Sequence, residues 1–161
     1  MQLRLRIHPT RPGIVRAALW GAAIAGALDI VYAIVFYGLR GVPAVRILQS
    51  VASGLLGAPA YRGGMSTALL GLGLHFAIMF VIAALFVAAS RRLAPLRQHA
   101  VTAGAVYGLL VYGVMNYVVL PLSAFPQRGT PATLVIALGL LVHVALVGIP
   151  ISLCARYKAA P

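Results

Sequence analysis

The stretch STALLGLGLHFAIMFVIAALFVAAS, residues 66–90, decides the fold of this chain. It carries no acidic or basic side chain except the single histidine His75, and it is followed at once by Arg91 and Arg92. A helix needs about 20 apolar residues to cross the hydrocarbon core of a bilayer. The stretch therefore predicts a membrane-spanning helix that ends at a basic boundary.

Three further stretches share this character, at residues 14–39, 98–120 and 131–155. The whole chain of 161 residues is 62% hydrophobic and only 9% charged, whereas soluble domains are about 25% charged. This composition excludes a soluble globule and a disordered chain, and the single cysteine, Cys154, excludes a disulfide scaffold. We expect an all-α fold in one integral membrane domain, residues 1–161, with four transmembrane helices in a bundle.

The stretch between the first two spans, residues 42–61, has a different pattern. Arg46, Gln49, Ser50 and Ser53 share one helical stripe, and apolar residues occupy the rest of the helix surface. This amphipathic pattern predicts either a helix that lies on the membrane surface or a re-entrant helix, rather than a fifth span.

The basic residues indicate the orientation of the spans. With four spans, nine basic residues share one side of the membrane: Arg4, Arg6, Arg11, Arg16, Arg91, Arg92, Arg97, Arg156 and Lys158. The other side has four: Arg40, Arg46, Arg62 and Arg128. With five spans, the thirteen basic residues would be divided six against seven between the two sides, which gives no orientation signal. The positive-inside rule therefore predicts four spans with both termini in the cytoplasm, and the net charge of +12 is attributed to lipid headgroups, not to nucleic acid.

Four polar side chains are predicted at membrane depth: Asp29, His75, Asn116 and His143. Asp29 is the only carboxylate side chain of the protein, and Asp29, His75 and His143 are predicted to lie within about one helical turn of the same depth. A carboxylate at mid-bilayer costs about 2.5–3.5 kcal/mol on insertion scales, so it should face the bundle interior. We expect these four side chains to point at one another.

Small residues recur every fourth position on the same helix faces, as expected of helices that pack closely in lipid. The residues predicted to pack are Gly21, Ala25, Gly71, Gly104, Gly108 and Gly139. Asp29, His75 and His143 each follow a member of this set by four residues, which places the polar side chains on the packing faces.

Three interpretations of the polar cluster follow from its chemistry. Asp29 could accept a hydrogen bond from a histidine and only fix the helix register, or the carboxylate and the histidines could take up and release protons. Two histidines and a carboxylate could also bind a metal, and two histidines could bind a haem, but no motif supports either. Nucleophile, nucleotide-binding and dinucleotide-binding motifs are absent, so no catalytic residue, enzyme activity or cofactor is predicted.

Several short motifs resemble a family of small bacterial inner-membrane proteins, the YagU-like family. They are Gly-Ala-Leu-Asp at 26–29, ILQSVASG at 47–54, Gly-x-x-x-His at 71–75 and 139–143, and the segment from Asn116 to Leu120-Pro121-Leu122-Ser123. The resemblance implies a four-helix protein of the bacterial cytoplasmic membrane and supplies no activity. We expect an accessory or structural membrane subunit that forms a homo-oligomer or joins a larger complex; the alternative is a proton-linked transporter or channel that uses Asp29, His75 and His143.

Overall fold

A computed structural model describes residues 11–126, 129 and 132–156, and this part of the chain is almost entirely helical. A short 3₁₀ turn, Ala58–Arg62, connects the second helix to the third. The helices are α1 (Arg11–Gly38), α2 (Ala44–Leu56), α3 (Gly64–Arg92), α4 (Ala94–Gln98), α5 (Ala100–Leu122) and α6 (Thr133–Arg156).

Four of these helices are long and apolar enough to cross a membrane, which confirms the predicted number of spans. They are Gly13–Gly38 within α1 and the whole of α3, α5 and α6. Such helices expose aliphatic side chains that only lipid can solvate; Leu85 on α3, for example, is 62% exposed. The chain is therefore a multi-pass membrane protein.

The boundaries of all four spans differ from the prediction by one or two residues. The third span does not include Gln98, because residues 94–98 form the separate helix α4 and His99 interrupts the helical backbone before α5 begins. The fourth span begins at Thr133, and its predicted first residue, Pro131, lies outside the described residues. Arg4, Arg6, Arg128 and Lys158, which contribute to the predicted orientation, also lie outside them.

Glycines set the distance between the last two spans. A methyl group added at Gly108 would overlap the His143 carbonyl and lie 2.8 Å from the Cα of Val144. On the facing helix, a methyl group at Gly148 would overlap the backbone of Gly104 and lie 2.6 Å from the Gly108 nitrogen. Because backbone meets backbone here, α5 and α6 pack as closely as helices can.

The other predicted packing residues also lie at helix contacts. Ala25 is fully buried, and a methyl group at Gly21 would lie 3.5 Å from the Cβ of Ala83 on α3. Gly71 faces α2, where an added methyl group would overlap the Leu48 carbonyl, and Gly139 faces a tyrosine of α5. Gly71 therefore contacts the short helix and not another span.

Both of the last two spans contain a π-helical segment, Met115–Val119 in α5 and His143–Gly148 in α6. Each segment ends two residues before a proline, Pro121 or Pro150. Proline has no backbone N–H and cannot donate to the carbonyl four residues earlier, so the hydrogen-bond pattern is disturbed at this point of the helix. π-Helical turns are rare in proteins, but those that do occur are often found at functional sites.

Helix α2 turns its polar side inward. Gln49 and Ser53 are 4% and 0% exposed, whereas the apolar Leu55 is 62% exposed. The Gln49 amide donates hydrogen bonds to the Gly64 carbonyl at 2.9 Å and to the Thr67 hydroxyl at 3.3 Å, both at the start of α3. This burial is the reverse of that expected for a helix on the membrane surface, which turns its polar side to water.

We expect Gln49→Leu to weaken the attachment of α2 to α3, because the replacement removes both hydrogen bonds and leaves the Gly64 carbonyl without this donor. The predicted loss of unfolding free energy is about 1 kcal/mol, in the range of interhelical hydrogen bonds in membranes. Equilibrium unfolding in mixed micelles measures it. Gln98→Leu, at an exposed site on α4, is the matched control, and equal stability of the two variants would contradict the expectation.

Candidate functional site

Asp29 lies on α1 one turn after the fully buried Ala25 and is itself half-buried. Its carboxylate is within electrostatic range of His143 on α6 and of His75 on α3. Three different spans thus bring the only carboxylate side chain of the protein and two imidazoles together. This is the arrangement that the shared depth of the three residues predicts.

His75 is held against α1 by a hydrogen bond between helices. Its Nε2 donates to the Gly26 carbonyl at 2.9 Å, and the side chain is 7% exposed. The absence of a side chain at Gly26 allows this approach, because a methyl group there would lie 2.8 Å from the Phe76 ring. Since a carbonyl can only accept, the proton of a neutral His75 resides on Nε2.

His143 is oriented by its own helix and by α5. Its Nδ1 donates to the Gly139 carbonyl at 2.9 Å, four residues earlier in α6. The ring packs edge-on against Tyr112, with ring centroids 5.2 Å apart. Tyr112 also lies over Gly139, where an added methyl group would be 2.7 Å from the tyrosine ring. His143 is the first residue of the π-helical segment of α6.

The Asp29 carboxylate accepts no hydrogen bond from any residue of the described part of the chain, residues 11–126, 129 and 132–156. Both histidines instead donate to glycine carbonyls. A carboxylate within electrostatic range of two imidazoles, but bonded to neither, differs from the Asp–His hydrogen bond by which Asp29 was expected to fix the helix register.

The Asn116 amide does not form a hydrogen bond with Asp29, His75 or His143. Its Nδ2 donates to the Tyr112 carbonyl at 2.9 Å on its own helix, within the π-helical part of α5. The predicted set of four thus divides into a group of three charged or ionisable side chains and one amide that bonds locally.

Polar groups continue from Asp29 toward the end of α1. Asp29 is within electrostatic range of Tyr32, which in turn interacts with Tyr37 and Arg40. The Arg40 guanidinium lies 3.6 Å from the centre of the Phe36 ring and donates to the Phe36 carbonyl. Polar groups of α1 thus lie between Asp29 and the end of this helix, and Tyr37 and Arg40 among them are exposed.

The other side, toward the chain termini, is packed mainly with apolar side chains. Buried alanines of α1 meet Met79, Ala83 and Val87 of α3 and Val147 and Ile151 of α6. Val87, Val147 and Ile151 are each completely buried. The three-residue group of Asp29, His75 and His143 thus borders a tightly packed, mostly apolar part of the bundle, in which the buried Ser90 and Ser152 bond to backbone carbonyls.

Among the residues that the structure describes, no group of three His, Cys, Asp or Glu side chains is arranged to hold a metal ion. Comparison of the chain with protein-family models, with curated proteins and with solved structures gives no match. The site is therefore interpreted from its own geometry.

The roles of Gly26 and Tyr112 are absent from the sequence prediction. Gly26 supplies the carbonyl that fixes His75, and its signal is the Gly-Ala-Leu-Asp run, in which it precedes Asp29 by three residues on the same helix face. Tyr112 has a similar signal, because it lies between Gly108 and Asn116 on the four-residue spacing. Neither spacing reveals which helix the residue contacts.

Proposed function

We propose that this protein is a small proton-linked membrane transporter or channel in which Asp29, His75 and His143 bind and release the proton. The observation that supports this most directly is a mid-span carboxylate beside two histidines that has no hydrogen-bond donor within the described residues. Placing a carboxylate within the membrane costs free energy, and ionisable groups of this kind in membrane proteins mark proton and ion pathways. Histidine is the side chain that most often takes up and releases protons in proteins, which suits it to a relay beside a carboxylate.

The asymmetry of the bundle supports access to the site from one side. Tyr32, Tyr37 and Arg40 provide polar groups between Asp29 and the far end of α1, while Val87 and Ile151 close the opposite side. Transport by alternating access requires that one conformation admit the proton from one side and close the other, and the complete burial of Val87 and Ile151 supports the closed side. The prolines and π-helical turns of α5 and α6 give these two helices bending points.

We further propose that the chain resides in the bacterial cytoplasmic membrane with both termini in the cytoplasm. The excess of basic residues on the side of the termini supports the orientation, and the resemblance to YagU-like proteins supports the location. In this arrangement α2 is a re-entrant helix, because its exposed Leu55 and Leu56 need lipid, whereas Gln49 is buried against α3 and Ser53 is buried beside the 3₁₀ turn.

The second candidate function is an accessory or structural subunit that forms a homo-oligomer or joins a larger membrane complex. The observation in its favour is the tight packing of Val87, Val147 and Ile151, which closes the side of the bundle toward the termini within the described residues. In this case the hydrogen bond from His75 to the Gly26 carbonyl only holds α1 against α3.

Infrared spectroscopy tests proton binding directly, because the chain has one acidic side chain and its carboxyl signal needs no assignment among others. We expect the carbonyl band of a protonated carboxylic acid to change in reconstituted protein as the pH is varied between about 5 and 8. The band should be missing in Asp29→Asn, whereas any band of the C-terminal carboxyl group should remain in both proteins.

A wild-type spectrum with no change assignable to Asp29 over this range would contradict proton exchange and favour the accessory role. Asn116→Ala is the matched control, because it removes a half-buried polar side chain whose amide bonds only within its own helix. This variant should retain the Asp29 band.

A further inference from the structure

A groove of about 500 Å³ lies between α3 and α5, away from the Asp29 site. Its walls are apolar side chains such as Leu85 and Ala89 of α3 and Val106 and Leu110 of α5. The Tyr107 ring lies in the groove against Phe86, with ring centroids 4.9 Å apart, and its hydroxyl donates to the Ile82 carbonyl at 2.7 Å. The Tyr107 hydroxyl thus has its hydrogen-bond partner within the protein, and the face of its ring can contact an apolar ligand.

The length of the groove matches one leaflet of a bilayer. On α5 it extends from Ala103, near the start of the span, to Met115, just past its middle. These twelve steps cover about 18 Å at about 1.5 Å per residue. One leaflet contributes about half of the roughly 30 Å of hydrocarbon in a membrane. An acyl chain of that leaflet therefore fits the groove along its whole length.

The end of the groove nearest the chain termini carries positive charge without acidic partners. Arg92 follows the groove residue Ala89 by three positions on α3, and Arg97 follows the groove residue Leu96 on α4. The only acidic side chain of the chain, Asp29, belongs to the other site. Arg97 donates to the Ser90 carbonyl at the end of α3, which keeps its guanidinium close to this end of the groove.

We propose that this groove binds an anionic glycerophospholipid, with one acyl chain between α3 and α5 and its phosphate at Arg92 and Arg97. Basic residues at the headgroup level of a site between transmembrane helices are the expected recognition element for an acidic lipid. The apolar walls of the groove bind the acyl chain of the lipid, and the arginines favour a headgroup that carries negative charge. The lipid also supplies the packing between α3 and α5 that these helices lack along the groove.

Native mass spectrometry of protein from vesicles that contain equal amounts of phosphatidylglycerol and phosphatidylcholine tests the proposal. We expect about one phosphatidylglycerol to remain bound per chain, with a preference of about tenfold over phosphatidylcholine. The double substitution Arg92→Gln/Arg97→Gln should abolish the preference. Arg46→Gln/Arg62→Gln, which removes the same charge near the opposite end of α3, should retain it.

A second pair of variants tests the groove itself. Ala89→Phe places a ring in the groove and should displace the lipid, whereas Ala88→Phe places it on the exposed, neighbouring position of α3 and should not. Size-exclusion chromatography and circular dichroism verify that each variant is folded. Equal retention of the two lipids, or equal retention by the two phenylalanine variants, would contradict the proposal. So would a dimer of wild-type chains that Ala89→Phe alone dissociates, since a second copy would then occupy the groove.

Discussion

Proteoliposomes that contain Asp29→Asn are expected to show proton flux no greater than protein-free vesicles, whereas wild-type vesicles conduct protons when a potential is applied. Asparagine has nearly the shape of aspartate but cannot exchange a proton, so the substitution removes the chemistry and preserves the packing. A pH-sensitive dye enclosed in the vesicles measures the flux.

The stability of Asp29→Asn separates the two candidate functions. No residue of the described chain donates a hydrogen bond to Asp29, and an ionised carboxylate at mid-bilayer costs about 2.5–3.5 kcal/mol on insertion scales. If the site serves transport, the variant loses flux and unfolds at the same or a higher concentration of denaturing detergent. If the site only holds the helices together, the variant is less stable and any flux is unchanged.

His75→Ala and Asn116→Ala complete the flux experiment. The histidine lies beside Asp29, so its removal should lower the flux, and the asparagine bonds only to its own helix, so its removal should not. Wild-type vesicles that conduct no faster than protein-free vesicles would contradict the transport proposal. An equal loss of flux in His75→Ala and Asn116→Ala would show that the effect is not specific to the cluster.

The spans could be predicted from the sequence because lipid imposes one simple requirement on them. Residues 66–90 and the three similar stretches can only be solvated by hydrocarbon, and the helices α1, α3, α5 and α6 follow these stretches to within about two residues. Helix α4 was not predicted, because five residues between two spans, Ala94–Gln98, show no helical periodicity.

The orientation of α2 could not be predicted, since the same amphipathic pattern permits opposite placements in water and in lipid. Gln49 and Ser53 would face water if the helix lay on the membrane surface, but in the structure they face α3 and the 3₁₀ turn. The hydrogen bond from Gln49 to the Gly64 carbonyl depends on the turn before α3, whose Gly64 has a positive φ of 59°. No pattern within residues 42–61 contains that information.

For the site, the sequence predicts the depth of its residues but not their hydrogen-bond partners. The positions of Asp29, His75 and His143 along their spans predict a common depth, and the structure brings the three together. That both imidazoles donate to glycine carbonyls depends on how closely α1 and α3 approach at Gly26 and on the local conformation of α6. The π-helical turn at His143 has only an indirect signal, the proline that follows it at position 150.

The largest expected effect on stability is that of Gly108→Leu, which should separate α5 from α6. The first side-chain carbon would lie 2.7 Å from the His143 carbonyl carbon and 2.8 Å from the Val144 Cα, and these backbone atoms cannot rotate away. Overpacking a core usually costs about 1–3 kcal/mol when side chains can adjust. Because the obstacle here is backbone, we expect a loss of about 3 kcal/mol or more in equilibrium unfolding with sodium dodecyl sulfate.

Gly113→Leu on the same helix is the matched control for this loss. A Cβ added at Gly113 meets no atom within 4 Å, so leucine there should gain helix propensity, somewhat less than the about 1 kcal/mol that separates alanine from glycine. If the two leucine variants unfold at the same detergent fraction, this result would contradict the close backbone contact inferred between α5 and α6. Gly108 also positions α5 against the backbone of His143, so a separation of these helices should move His143 relative to Asp29 and abolish flux together with stability.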